Sequence, residues 1–337
     1  MRIAFRTAAN DDIERIIKLQ EKQDGFPCYL GYEPIDEQRS VMADFYRKLD
    51  LEKSIEPSGR QRIILAENEK NDKLIGYMLV EVALPEAFGL FKRTHIRDWF
   101  VAHKSDWDYV MEEFIYNVEE LALHEGCRDI SAEVPISLKA EEDFFRDCDF
   151  YPEMNRILKP VSSHNLDTML VKKYTTRLAN ESDRLFILSL SAGNASAIIP
   201  PGMDGLEKDI RESYFNLYAG MNLEENKNLR VFIVEDPKEY RPIGFIIIMT
   251  DTESVISAKS SGYIYDLSVH PDYWGRYATQ RIMREAENIL ASEGCGYYFG
   301  DISELNPRAL KTSIRTLDFK LYGRKWVKNI TNITTED

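Results

Sequence analysis

The chain is poor in the residues that staple small secreted folds or build metal sites. Its four cysteines, Cys28, Cys127, Cys148 and Cys295, stand singly and form no CxxC pair, which argues against a disulfide framework and against a cysteine-rich zinc site. The five histidines, His95, His103, His124, His164 and His270, include no HExxH, so no metal centre is expected. Cations are in deficit. Lys and Arg number 43 against 57 Asp and Glu, a net charge of −14. With no surplus cation to meet phosphates, neither a nucleic acid nor an anionic membrane is the expected partner, whereas a cationic amine suits this balance. Long apolar runs are missing too. The longest, Ile243 to Met249, is far too short to cross a bilayer. The opening Met-Arg-Ile-Ala-Phe-Arg reaches Asp11 and Asp12 with no apolar core, so no signal peptide is expected and a cytoplasmic location follows.

What is present is an ordinary globular composition, 44% hydrophobic and 30% charged, over 337 residues, long enough for two domains with a core each. Self-similarity supports that division. Ile64-Leu65-Ala66-Glu67 matches Phe232-Ile233-Val234-Glu235, and Leu74-Ile75-Gly76-Tyr77 matches Pro242-Ile243-Gly244-Phe245. Arg97-Asp98-Trp99-Phe100-Val101 matches Tyr265-Asp266-Leu267-Ser268-Val269, and Glu125-Gly126-Cys127 matches Glu293-Gly294-Cys295, all at one offset of 168. Asp149-Phe150 matches Asp318-Phe319 one residue later, at 169. Two copies of one domain are expected, residues 1–174 and 175–337, with the two sheets joined or sharing an edge near residue 174.

The periods of the second copy give its element order. An extended Tyr174–Leu178 precedes a helix from about Glu181, with Asn180 or Ser182 as N-cap. Ser191–Gly205 reads as a loop, and Leu206–Leu217 as a second helix. Strands Leu229–Glu235, Pro242–Thr250 and Gly262–Val269 follow, then a helix Ala278–Ser292 stopped by Gly294. A strand Tyr297–Ile302, a short helix near Pro307–Leu317 and a strand near Tyr322–Lys328 complete an α+β domain.

Chemistry concentrates in Tyr263-Ile264-Tyr265-Asp266-Leu267-Ser268-Val269-His270-Pro271, followed by Asp272-Tyr273-Trp274-Gly275-Arg276-Tyr277-Ala278-Thr279. A buried strand ends at Val269, His270-Pro271 breaks it, and a turn feeds a helix. The free backbone N–H groups of that helix's first turn favour an anion such as a pyrophosphate, and Arg276 adds a cation.

Here the chain resembles the GNAT superfamily of acyl-CoA-dependent N-acyltransferases. Leu267-Ser268-Val269-His270-Pro271, Gly275-Arg276 and the helix Gln280 to Glu287 carry the likeness, with Asn306-Pro307-Arg308-Ala309 and Leu317-Asp318-Phe319 resembling the second cofactor-proximal region. Through the repeat, the resemblance extends to the first copy. It implies two GNAT-like domains, each a mixed, mostly antiparallel sheet flanked by helices, with a splayed parallel strand pair at the centre. It implies acetyl-CoA as cofactor and a small-molecule or peptide amine as acceptor. Backbone near Leu267 and Val269 would hold the pantetheine, and Gly275, Arg276, Tyr277, Ala278 and Thr279 the pyrophosphate, with Asn306 close to the pantetheine. Asp266 is the expected base or amine anchor, and Tyr265, with Tyr263 on the same strand, an expected wall of the acceptor pocket.

Several positions depart from the family pattern. Tyr277 and Thr279 stand where small residues, mostly glycine, let backbone approach phosphate. The family's frequent tyrosine acid would fall near Ser313 or Ile314, leaving Tyr297, Tyr298, Tyr322 or an unassisted thiolate. In the first copy Trp107 replaces Gly275 and Asp108 replaces Arg276, with Asp106 beside them. That copy is expected to have lost the cofactor and to serve as scaffold, dimer surface or substrate wall, which leaves a homodimer open. Asp98 and Glu67, the counterparts of Asp266 and Glu235, set structural roles beside functional ones for both acids. His270 reads first as a turn residue, and Asn306 equally as a helix cap. Ile198, Ile199 and Met203 suggest a partly hydrophobic acceptor. The competing function is a non-catalytic acyl-CoA-binding or scaffold protein with two decayed domains.

Overall fold

A computed structural model describes residues 2–22, 35–51, 60–86, 91–162, 173–194, 207–223, 228–252 and 260–331. Its contacts gather into two units, Met1–Glu153 with Gly323–Asp337, and Met154–Tyr322. In chain order the elements are β1 (Ile3–Thr7), α1 (Ile13–Gln20), α2 (Ile35–Lys48), β2 (Arg60–Asn68), β3 (Lys73–Glu86), β4 (Phe91–Val101), α3 (Trp107–His124), β5 (Asp129–Pro135) and α4 (Lys139–Asp147). Then follow β6 (Tyr151–Pro160), β7 (Thr175–Leu178), α5 (Arg184–Asn194), α6 (Glu207–Gly220), β8 (Leu229–Asp236), β9 (Arg241–Thr252), β10 (Ser261–Val269), α7 (Ala278–Ser292), β11 (Tyr297–Ser303), α8 (Pro307–Thr316) and β12 (Lys320–Asn329).

In the first unit β1, β2, β3 and β4 pair antiparallel in sequence, β4 pairs parallel with β5, and β5 pairs antiparallel with β12. In the second, β7, β8, β9 and β10 repeat that meander, β10 pairs parallel with β11, and β11 pairs antiparallel with β6. The registers of the two parallel pairs coincide residue by residue. Arg93 faces Asp129 in β4–β5, and Ser261 faces Tyr297 in β10–β11, as the common offset requires.

The compact units do not divide at the repeat boundary of 174/175. The closing strand of each repeat lies in the unit of the other. β6, from the first repeat, pairs with β11, whereas β12, from the second, pairs with β5. The exchange therefore falls at β6 and β12, not near residue 174. One ion pair anchors each exchanged strand to the long helix of its host unit: Lys159–Glu287 and Lys328–Glu119, both 2.6 Å.

Local chemistry explains other repeated features. Arg6 bridges Asp12 and Glu67, and Arg177 bridges Asp183 and Glu235, each carboxylate within 2.8 Å of the guanidinium. Glu235 and Glu67 thus brace the entry to α5 and α1, and the structural role expected for Glu235 is the one observed. Gly244 is required by close strand approach, since a Cβ there would lie 2.7 Å from the Ser268 carbonyl; Gly76 meets Phe100 in the same way at 2.8 Å. Apolar residues of α7, Ile282, Met283, Ala286 and Leu290, pack on one face of the second sheet. Ile187, Leu188 and Leu190 of α5, with Tyr218 of α6, cover the other beside Phe245 and Ile247.

Helix and strand boundaries follow the sequence closely, with one clear difference. Ser191–Asn194, expected in a loop, complete α5, because the buried stripe of Ile187, Leu188 and Leu190 continues through Ser191. Residues 195–206, including Ile198, Ile199 and Met203, lie outside the described residues. No helix among the described residues is long and apolar enough to cross a membrane.

Candidate active site

The expected opening is present in the second unit. β10 and β11 pair only from Ser261/Tyr297 to Ile264/Gly300, so the β11-facing edge of β10 has no strand partner beyond Ile264. At that point β10 also carries a bulge: Ile264 faces Ile248 and Asp266 faces Ile247, leaving Tyr265 as the extra residue. A bulge breaks side-chain alternation. It places Tyr265 and Asp266 together toward the α5/α6 face, where Tyr265 packs beside α5 and α6 and Asp266 meets Tyr218. Leu267 and Val269 turn toward the α7 face and join its core.

Past Val269, the backbone reverses in a tight turn. Pro271–Tyr273 make a short 3-10 helix, after which Gly275 has φ +71 and Tyr277 φ +74. Left-handed residues flanking Arg276 fold the backbone into a concavity, of the kind in which successive N–H groups converge. The N–H groups of Ala278, Thr279 and Gln280 open α7 without a protein acceptor; intrahelical bonding begins with the Arg281 N–H to the Tyr277 carbonyl at 2.9 Å. Arg276 and Tyr277 are exposed. The Tyr277 ring lies outside the concavity against Lys173, whose ammonium sits 5.4 Å from its centroid. A side chain at φ > 0 is strained by roughly 1–2 kcal/mol, so Tyr277 holds this turn at a cost that glycine would not carry.

Two residues that the sequence reading left unassigned complete the turn. The Trp274 indole N–H donates to the Val269 carbonyl at 2.7 Å, and the Arg308 guanidinium of α8 stacks 3.9 Å over the indole. One backbone acceptor expected for pantetheine at Val269 is therefore engaged by Trp274. Asn306 is likewise engaged. Its side chain accepts from the Ala309 N–H at 3.1 Å and caps α8, so the cap role is the one observed. His270 accepts from the Asp272 N–H at 3.4 Å and is also local to its turn.

The first unit differs at the equivalent turn. Helix α3 starts at Trp107, three residues ahead of the position matching Ala278, and no residue of that turn is left-handed. Trp107 stacks on Phe144 at 5.0 Å, Phe144 on Phe145 at 5.8 Å, and Phe145 on Trp99 at 5.4 Å. This chain of edge-on aromatic contacts runs from the start of α3 through α4 to β4, whose pairing with β5 likewise ends at Ile96/Ala132. At the same offset the second unit has Gly275, Thr312, Ser313 and Leu267. All four rings are absent where the cleft is open. The offset placed Trp107 on Gly275; the other three pairs were readable by the same rule once α4 was known to meet the start of α3.

Asp266 sits at the bulge with partial access to solvent. Desolvation raises its pKa above the ordinary carboxylate value, opposed by hydrogen bonds from Tyr218, the Leu267 backbone and Ser268. Tyr218 Oη–H donates to Oδ2 at 2.6 Å, and Ser268 reaches Oδ1 only at 3.5 Å. Burial also raises the phenols of Tyr265 and Tyr263. Tyr263 donates to Asp301 at 3.3 Å, and Asp301 in turn holds Arg156 at 2.8 Å. Tyr298, one of the substitutes considered for the missing acid, is buried and donates to Glu287. A cavity of about 510 Å³ lies beside the turn, with Phe186, Leu190, Pro242 and Ile243 as apolar walls and Arg241 and His270 at its rim. Among the described residues no cluster of three or more His, Cys, Asp or Glu has metal-holding geometry. Cys127 and Cys295 are buried as free thiols.

A model of the Acetyltransferase (GNAT) family matches residues 201–313. Among solved structures, the chain is similar to a tandem GNAT protein from the clavulanic acid biosynthesis pathway, at 11% identity and TM-score 0.51, over 98% of this chain and 99% of that one. It is also similar to a GCN5-related N-acetyltransferase from Sphaerobacter thermophilus, at 12% identity and TM-score 0.51, over 97% and 96%. No curated protein matches the chain in sequence.

Proposed function

For a chain that carries the GNAT fold in two copies, we propose acetyl-CoA-dependent N-acetylation of a small-molecule or peptide amine, performed by the second unit alone. The observation that carries this reading is the contrast between the copies. The second has an open splay leading to a turn of unpartnered amides, and the first has four aromatic rings at the matching positions. The fit to coenzyme A rests on that turn: the amides of Ala278, Thr279 and Gln280, with Gly275 shaping the concavity and Arg276 at its rim, suit a diphosphate. The unpaired edge of β10 at Leu267 suits the amide-bearing pantetheine. Bound acetyl-CoA supplies an activated thioester carbonyl. Asp266 faces the α5/α6 side of the sheet and would receive the proton that the amine nitrogen gives up as it forms its bond to the acyl carbon and the carbon–sulfur bond breaks, the departing thiolate taking a proton from solvent to leave as free thiol. A carboxylate whose pKa burial raises above the ordinary range is suited to accept that proton. The apolar cavity walls favour an acceptor with an apolar portion.

The test is paired. Acetyl-CoA at ~100 times its dissociation constant should stabilise the protein by roughly 2.7 kcal/mol, and free thiol should appear when a panel of amines is added. Absence of stabilisation at millimolar acetyl-CoA would favour the scaffold reading. Stabilisation without thiol release on any amine would favour an acyl-CoA-binding protein.

A further inference from the structure

The carboxylate at the strand bulge is present in both units, but its surroundings differ in one informative respect. In the first unit Asp98 Oδ2 accepts from Tyr46 at 2.7 Å, Tyr77 at 2.8 Å and the Gln20 carboxamide at 3.2 Å, and that carboxamide also donates to the Tyr77 hydroxyl at 2.7 Å. The group is closed: every donor has an acceptor, and Gln20, Tyr46 and Tyr77 are all buried.

In the second unit Tyr218 takes the place of Tyr46. It is 2% exposed and lies 6.4 Å from Phe245 in an edge-on contact, as Tyr46 lies 5.8 Å from Tyr77. The other two donors are missing. Phe245 replaces Tyr77, which removes a hydroxyl. Ser191 replaces Gln20 on the matching face of α5, where Ile187, Leu188 and Leu190 repeat the buried positions of Ile16, Ile17 and Leu19. Serine is several atoms shorter than glutamine, and the Ser191 hydroxyl is buried, at 3% exposure, with no hydrogen-bond partner. A buried hydroxyl without a partner calls for an explanation. So does a carboxylate that lacks two of the three side-chain donors present around Asp98 and has in exchange only the 3.5 Å contact from Ser268.

We propose that the space occupied in the first unit by the Gln20 carboxamide and the Tyr77 hydroxyl is, in the second unit, the seat of the acceptor's nitrogen. A primary ammonium there donates to Asp266 and to Ser191 Oγ. Phe245 keeps the seat vacant, since a tyrosine hydroxyl would return to the carboxylate. Ser191 accepts from the ammonium directly and Phe245 acts through Asp266; together they set specificity for a primary amine, whose several N–H donors match these acceptors. The inference deepens the acyltransfer reading, but amine binding can be measured without cofactor.

The experiment uses the full chain labelled with ¹³C at aspartate carboxyls, the Asp266 resonance being assigned by its loss in Asp266→Asn. Propylammonium chloride is the probe, and tetramethylammonium chloride, which has no N–H, is the control at equal ionic strength. The expected result is a saturable shift of the Asp266 resonance with propylammonium only. In Ser191→Ala half-saturation should weaken by about tenfold, the loss of one charge-assisted hydrogen bond. In Ser191→Gln/Phe245→Tyr, which rebuilds the closed group of the first unit, the response should vanish while stabilisation by acetyl-CoA persists. An Asp266 resonance silent to propylammonium in the native protein, or a double variant that responds as the native protein does, would overturn the proposal. If Asp266 responds but acetyl-CoA does not stabilise the protein, the acyltransfer reading fails and the amine seat stands.

Discussion

Gly275→Trp leaves a folded protein that no longer takes up acetyl-CoA, with affinity lowered at least ~100-fold, as expected when two or more charge-assisted hydrogen bonds to a diphosphate are lost. The substitution copies Trp107 of the first unit. Nothing lies within 4 Å of the position a Cβ would take at Gly275, so the core is not disturbed. The cost to folding is confined to placing a side chain at φ +71, roughly 1–2 kcal/mol. Gly275→Ala carries that strain without the bulk and separates the two effects. Titration calorimetry with acetyl-CoA on both variants reads the outcome. Unchanged affinity in Gly275→Trp would remove the turn from the cofactor site.

Asp266→Asn gives the second large effect, on rate. Acetyl-CoA binding is retained, and kcat for amine acetylation falls by about 10²–10⁴, the usual range for losing a positioned base. Stability moves the other way. Burial raises the folded pKa of Asp266 above its unfolded value, so the folded state holds its proton more tightly and stability falls as pH rises through the folded pKa. Asparagine cannot ionise. The variant should match the native protein in acid and become relatively more stable above that pKa, while kcat/KM of the native enzyme rises through the same window as the carboxylate forms. Burial raises the Asp98 pKa in the same way, so Asp98→Asn shares that pH dependence, but it should in addition destabilise by about 1–3 kcal/mol, because it disrupts a closed buried group. If both variants lose stability equally and Asp266→Asn keeps its rate, Asp266 is structural in both copies.

Much of the site was legible because the repeat supplied an internal comparison. The shared offset aligned β4 with β10 and α3 with α7, and the free helix start at Ala278 followed from His270-Pro271 and Gly275. The strand exchange was not legible. Nothing in the sequence of β6 or β12 specifies its neighbour, since the apolar pattern of a strand names a face but not a partner. The aromatic chain of the first unit was half visible, through Trp107. Phe144 and Phe145 lie on α4 and Trp99 on β4, and their meeting with Trp107 comes only from tertiary packing. Trp274 has no role assigned from the sequence, because its bond to the Val269 carbonyl depends on a backbone reversal that local propensity does not encode. The loss of donors around Asp266 was hidden for a similar reason, since Gln20/Ser191 and Tyr77/Phe245 meet Asp98 and Asp266 only when helix and sheet are packed together.

Amide hydrogen exchange on the full chain, with and without acetyl-CoA, tests most directly whether one half alone holds the cofactor. The account predicts protection across Gly275–Gln280 and along Leu267–Val269, with no change across Asp106–Tyr109. Protection at the start of α3, or none at the start of α7, would contradict it.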